Sequence, residues 1–262
     1  MKRLLCLPLL GILMACPSKD KNTSSDPKPE MNAQKTTSKS QVEAPQNIPE
    51  VMYTETLVQG VDKLIHNEKS IVWKNSALSI ELYAAPEDGE ECDTDYSARI
   101  LSWVGPIVSI AESGGGYCEG AAHPFSFIDW KAWKITGKTK KQISIIDIFP
   151  ERLVLQVLLK DKVIQKHRTS TEEPTTLVEL ETSLDGGCEM YFSGLGMHFA
   201  FHHVKQDQVA IRLGLTYGCE AERGNFTQLG IYLPIDSMLD PTLKDALKKA
   251  KTKGLLSKTL SK

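Results

Sequence analysis

Apolar and polar positions alternate most clearly near the C-terminal end. Met197, Phe199 and Phe201 alternate with polar or small residues, and Val209, Ile211, Leu213, Leu215 and Tyr217 do the same. Successive side chains of a strand point to opposite faces, so each run predicts a half-buried strand. Residues 205–208 between them read as a hairpin loop. Residues 229–233 predict a further short strand. Upstream, Leu78, Ile80 and Leu82 predict a strand over 77–83. Residues 96–111 are rich in β-branched residues, with a bend or bulge expected inside the run at Gly105-Pro106. Gly114-Gly115-Gly116 predicts a turn that ends this run. Residues 125–135, with Trp130 and Trp133, predict a second long strand. Its apolar face changes between Phe127 and Ile128, so a bulge or burial on both faces is expected. Thr136-Gly137-Lys138 reads as a turn.

The helical period appears twice. Leu155, Leu158, Leu159 and Val163 share one face of a helix predicted over 150–167, with Pro150 at its first position. Residues 175–184 fit helix or strand. Asp240 suits the N-cap of a last helix with Pro241 in its first turn and Leu243, Ala246, Leu247 and Ala250 as its apolar stripe. The order is β-rich, helix, β-rich, helix. That predicts an α+β fold of antiparallel sheets with a central and a C-terminal helix.

The N-terminus has a different pattern. Lys2 and Arg3 precede an apolar run from Leu4 to Ala15, too short to span a bilayer. The charge order is that of a secretory signal. Its end, Leu13-Met14-Ala15-Cys16, resembles the lipobox of bacterial lipoproteins, in which the signal is removed and the cysteine thiol carries a diacylglycerol. The resemblance implies a signal peptide over 1–15 and lipidation of Cys16. It also implies a membrane partner through that lipid, and Pro17 in place of Asp implies sorting to the outer membrane. The periplasmic or surface face stays open. Residues 17–48 are rich in Ser, Thr, Lys, Asn and Pro, too polar to offset ordering entropy. They read as a tether with a random-coil reach of about 30 Å. A single extracytoplasmic domain is expected over 49–262, long enough for a true core.

Without Lys2 and Arg3, 29 basic side chains stand against 33 acidic ones, about −4 in all. No basic face or recognised module suggests nucleic acid. With Cys6 in the signal and Cys16 lipidated, Cys92, Cys118, Cys188 and Cys219 remain. An even count in an exported domain predicts disulfides. Of three connectivities, Cys92–Cys118 and Cys188–Cys219 are preferred, because each joins segments of one half. Each would add roughly 3–4 kcal/mol through chain entropy. The spacing lacks any CxxC pair, which argues against a four-cysteine metal site.

A further resemblance is carried by Val108-Ser109-Ile110, Tyr117, Gly120-Ala121-Ala122-His123-Pro124, Thr136-Gly137-Lys138 and Ile146-Asp147-Ile148-Phe149, in that order, and by the later hairpin, Tyr217 and Leu233-Pro234. Over roughly residues 75–250 the chain resembles the extracellular domain of the lysozyme-sensing anti-sigma factor family. Related domains also accompany peptidoglycan deacetylases. Ala121 stands where the family has a second glycine. The resemblance implies a non-catalytic binding or sensing domain for an envelope protein or glycan, lysozyme-like proteins being the family's example. Tyr117 and His123 are the candidate binding residues.

From the residues themselves, His123 either binds a partner or a metal, or satisfies backbone groups in its turn. Alternation places His202 and His203 on opposite faces, with His198 about 13 Å from His202, so no metal site is expected. GxSxG, Walker and HExxH patterns are absent from the sequence. A pairing of Ser109 or Ser113 with His123 has little support. Residues 87–95 read as a solvated acidic loop, and the lysines from Lys244 to Lys262 as a solvated helix face and tail. No cofactor is implied. A peptidoglycan-acting enzyme and a structural envelope component remain the alternatives.

Overall fold

The computed structural model describes residues 54–86 and 92–260. The signal segment, Cys16 and the 17–48 tether lie outside them, as do residues 87–91 of the acidic loop.

Four strands open the fold as an antiparallel meander: β1 (Thr54–Gln59), β2 (Asp62–Asn67), β3 (Ser70–Lys74) and β4 (Ser79–Ala84). Only the last was anticipated. The others are five or six residues long, and β1 and β2 bury Leu64 alone, which leaves too few apolar positions for a period. Side chains set two of the turns. Asn67 Oδ1 accepts from the amides of Lys69 and Ser70, and Asn75 Oδ1 from those of Ala77 and Leu78.

The second meander is longer: β5 (Cys92–Val104), β6 (Ile107–Cys118), β7 (Phe125–Thr136) and β8 (Thr139–Gln142). Gly105-Pro106 is not a bend or bulge inside one strand, because Gly105 takes a positive φ of 56° and reverses the chain as the β5–β6 turn, where Trp103 Nε1 donates to Gly105 O at 2.9 Å. The glycine triplet does not end β6, as the turn reading expected. It lies inside the strand, paired with β5 and β7 on either side. The rings of Tyr96 and Phe127 explain why. A Cβ on Gly114 would lie 2.6 Å from Tyr96 and 2.7 Å from Phe127, so glycine lets both rings close over the strand. β7 has no bulge against β6. Residues 125–129 are half-buried on both faces, the other expected outcome. The register shift falls in β5 instead, at Leu101.

The central helix is two. α1 (Glu151–Leu158) stops after two turns, and α2 (Lys162–His167) begins afresh because Asp161 accepts from the amides of Val163 and Ile164. The apolar stripe ran through the break and concealed it. The ambiguous segment is helical as α3 (Leu177–Thr182). Thr176 caps it, and Glu151 accepts from Leu177 N at 2.7 Å. The third sheet has the order β11-β10-β9 and comprises β9 (Phe199–Lys205), β10 (Gln208–Thr216) and β11 (Phe226–Pro234). α4 (Pro241–Thr252) is capped by Asp240 as expected, and a short α5 (Ser257–Leu260) follows. The α+β reading holds. No helix among the described residues is long and apolar enough to cross a membrane.

The predicted alternation forms the main core. Phe199, Phe201, Val209, Ile211, Leu213, Leu215, Leu229, Ile231 and Leu233 are all buried. They join the proximal parts of β5 and β6, where Trp103, Val104, Ile107, Val108 and Ile110 are buried. β9 and β10 approach β5–β7, while β3 and β4 approach β5 and β8. Leu255 O accepts from Trp103 N at 2.9 Å, covering part of the β5 edge.

Two buried serines beside the Leu101 shift differ in their bonding. Ser102 Oγ accepts from Phe201 N, whereas Ser109 Oγ has no partner among the described residues. Ser102→Ala is expected to cost about 1–3 kcal/mol in urea unfolding, by orphaning a buried amide. Ser109→Ala should stay within about 0.5 kcal/mol or stabilise the protein. Equal effects would contradict this assignment.

Candidate functional site

Both disulfides lie at one end of the second meander. Cys92 and Cys118 are direct cross-strand partners with Cα atoms 3.9 Å apart. Cys188 and Cys219 have Cα atoms 4.6 Å apart. The preferred connectivity is therefore the observed one. The braced segments also meet. Tyr217 donates its hydroxyl to Ser126 O at 2.8 Å, and His123 Nδ1 lies 3.5 Å from Glu220 Oε1.

Tyr117 and His123 stand on this end. Tyr117 is 49% exposed and donates to Ala121 O at 2.8 Å, which closes the turn after Cys118. The His123 side chain is 51% exposed, with Nδ1 3.3 Å from Pro124 O. It thus combines local backbone support with an exposed face, beside a carboxylate but on the surface. The suspected serines are engaged elsewhere or buried: Ser113 Oγ bonds Ser97 Oγ at 2.9 Å, and Ser109 lies in the interior. Asp93, Asp95, Glu119 and Glu220 are exposed around the two candidates, and Arg223 pairs with Glu220 at 2.8 Å. Asp93 and Asp95 belong to β5 and are not loop residues. In sequence, Glu87, Asp88, Glu90 and Glu91 immediately precede Cys92.

The other histidines depart from the simple strand picture. A register shift between Ala210 and Ile211 of β10 leaves His202 as the extra residue of β9. That bulge cancels the alternation, so His202 and His203 turn toward each other, with Nδ1 atoms 2.7 Å apart. The expectation of opposite faces was wrong for this reason. His198 is engaged elsewhere. Its Nδ1 lies 2.9 Å from Asp129 Oδ1 and 2.8 Å from Trp130 O. Both partners only accept, so Nδ1 carries the hydrogen. No group of three or more His, Cys, Asp or Glu among the described residues is placed to hold a metal.

The His198–Asp129 pair lines a cleft of about 330 Å³ with Trp130, Tyr191, Ser193 and Phe226. Trp130 and Phe226 meet with ring centroids 5.2 Å apart, and Tyr191 stands at the surface, 56% exposed. Residues 129 and 198 are too far apart in sequence for a spacing motif, so the pairing left no sequence signal. Such a pair can orient an imidazole, but Nε2 makes no hydrogen bond among the described residues, and a Cβ on Gly194 would lie 2.9 Å from it.

No family model matches this chain, and no curated protein matches it either.

The hydrogen bond to Asp129 raises the His198 pKa above the ordinary imidazole value, against the opposing effect of burial. A raised folded-state pKa adds stability that is complete below the unfolded pKa and is lost as pH rises through the folded one. Asp129→Asn should therefore lower the NMR-titrated pKa of His198. It should cost about 1–2 kcal/mol at pH 5.5, and less at pH 9. An unchanged titration would refute the pairing.

Proposed function

We propose that this protein is a lipid-anchored outer-membrane protein whose domain is a non-catalytic binder or sensor of an envelope protein. The observation that carries the reading is the disulfide-braced end. It is fixed covalently, exposes Tyr117 and His123, and is rimmed by Asp93, Asp95, Glu119 and Glu220. Preorganisation lowers the ordering cost of binding, and tyrosine supplies contact area at low entropy cost. The acidic rim complements a basic protein better than an acidic glycan. A basic lysozyme-like protein fits that charge and is also the ligand implied by the family resemblance. The tether to Cys16 gives the domain its reach from the membrane.

One observation favours an enzyme acting on peptidoglycan instead. The His198–Asp129 pair faces a cleft that also contains Ser193 and Tyr191. The binding reading treats that pair as structural.

The test uses the full-length protein in detergent micelles. Mass spectrometry should show an acylated Cys16 as the first residue. A lysozyme of high isoelectric point should bind saturably and more weakly as salt rises. Tyr117→Ala and the double change Asp93→Asn with Asp95→Asn should each weaken binding about ten-fold, with unfolding midpoints unchanged. An unlipidated start elsewhere would overturn the anchoring. Binding indifferent to these variants would overturn the ligand surface. Peptidoglycan turnover abolished by His198→Ala would favour the enzyme.

A further inference from the structure

A second cluster, basic rather than acidic, lies along the third sheet away from the disulfide-braced end. Arg212 precedes Thr216 by four residues on β10, about 14 Å along a strand. Its side chain lies across Gly230, the partner residue on β11, where a Cβ would come within 2.9 Å of the guanidinium. The sheet thus has a glycine where the arginine fork rests. Arg212 has no carboxylate or other hydrogen-bond partner among the described residues. Beside it, the β9 bulge turns His202 and His203 together, and His203 Nε2 lies 3.4 Å from the Tyr232 hydroxyl.

The charges surrounding the histidines are cationic: Arg212 from β10, Lys258 from α5 and Lys205 from the end of β9. Burial first, and then Arg212 and Lys258, hold both imidazoles below their ordinary pKa, with Lys205 adding to the effect at His203. The nearby cleft of about 360 Å³ shares His202 and adds Arg99 and Gln228, while its carboxylate, Glu55, lies 3.9 Å from His66. Two imidazoles beside three cations repel a metal ion. Unpaired guanidinium N–H groups, a tyrosine hydroxyl and protonatable imidazoles are instead the donor set that suits an oxyanion, and a guanidinium matches a phosphate bidentately.

We propose that Arg212, His202, His203, Tyr232 and Lys258 form a binding site for a tetrahedral oxyanion, a phosphate group or its sulfate analogue. The site is independent of the protein-binding end. In a membrane-tethered protein the group could come from an anionic lipid headgroup or from a soluble phosphate compound, and the chemistry is shared. An entering dianion offsets the field of the neighbouring cations at the imidazoles, so binding favours their protonation and tightens as pH falls.

Sulfate is the first probe, because it stays dianionic across the range. NMR of the full-length protein in nonionic micelles should show saturable shifts of the His202 and His203 ring protons. Sulfate should bind at least about five-fold more tightly at pH 5.5 than at pH 7.5. Arg212→Gln should weaken binding about ten-fold, with Arg212→Lys between, because a point charge replaces the fork. Gly230→Ala, which displaces the guanidinium without removing it, should also weaken binding. Inorganic phosphate should compete with sulfate. Vesicles containing phosphatidylglycerol, set against pure phosphatidylcholine, identify the source. Retention by anionic vesicles that is lost in Arg212→Gln assigns a headgroup, and sulfate binding without such retention assigns a soluble ligand. Either supports the site. Non-saturable shifts, or shifts equal in wild type and Arg212→Gln, overturn it.

Discussion

The central strands outrun the hydrophobic core, and the rest of the architecture follows from that. Along β6, Ile107 to Ala111 are buried, whereas Glu112 to Gly116 are only half-buried and Tyr117 is exposed. The proximal half is held by the neighbouring sheets and by the C-terminal segment that bonds Trp103. The distal half has little apolar burial to hold it. It relies on the antiparallel ladder, on the rings of Tyr96 and Phe127 over Gly114, and on the Cys92–Cys118 link at the end of the pairing. A three-stranded ribbon without a buried hydrophobic face is marginal in water, so a covalent brace at its tip is physically reasonable.

This division explains what could be read from the sequence. Strands that bury one face onto the core announce themselves by period. The run from Phe199 to Leu215 and the stripe of α4 were therefore legible. So was the disulfide pairing, once the elements were grouped into halves. The distal ribbon was less legible because its glycines serve ring packing rather than turning. The short strands β1 and β2 bury only Leu64, β3 buries Ile71 and Trp73 in a run of just five residues, and Asp161 ended a helix without interrupting its apolar stripe. The β9 bulge shows the limit most directly. One unpaired residue reversed the expected relation between His202 and His203, and the local sequence has no mark of it. Tyr117 and His123 were legible as motif residues, whereas the His198–Asp129 contact and the Arg212 cluster depend on distant strands coming together.

The fold also separates charge. Acidic side chains gather at the braced end around Tyr117 and His123, while Arg212, Lys205 and Lys258 surround the histidine pair farther along the third sheet. Nearly balanced overall charge conceals this polarity. Local fields of this kind steer encounter and orientation more than they add raw affinity. The proposed protein-binding end and the proposed oxyanion site thus lie on separate surfaces.

Covalent links, rather than core packing, fix the proposed binding end. Hydrogen exchange of the β5–β6–β7 amides, compared between oxidised and reduced protein, tests it most directly. Exchange should be slow throughout when the disulfides are intact. After reduction, exchange should accelerate selectively around residues 112–118 and 125–128, while the amides around Trp103, Ile107 and Val108 stay protected. Equal protection of the tip in both states would contradict the claim, and so would loss of tip and core protection together.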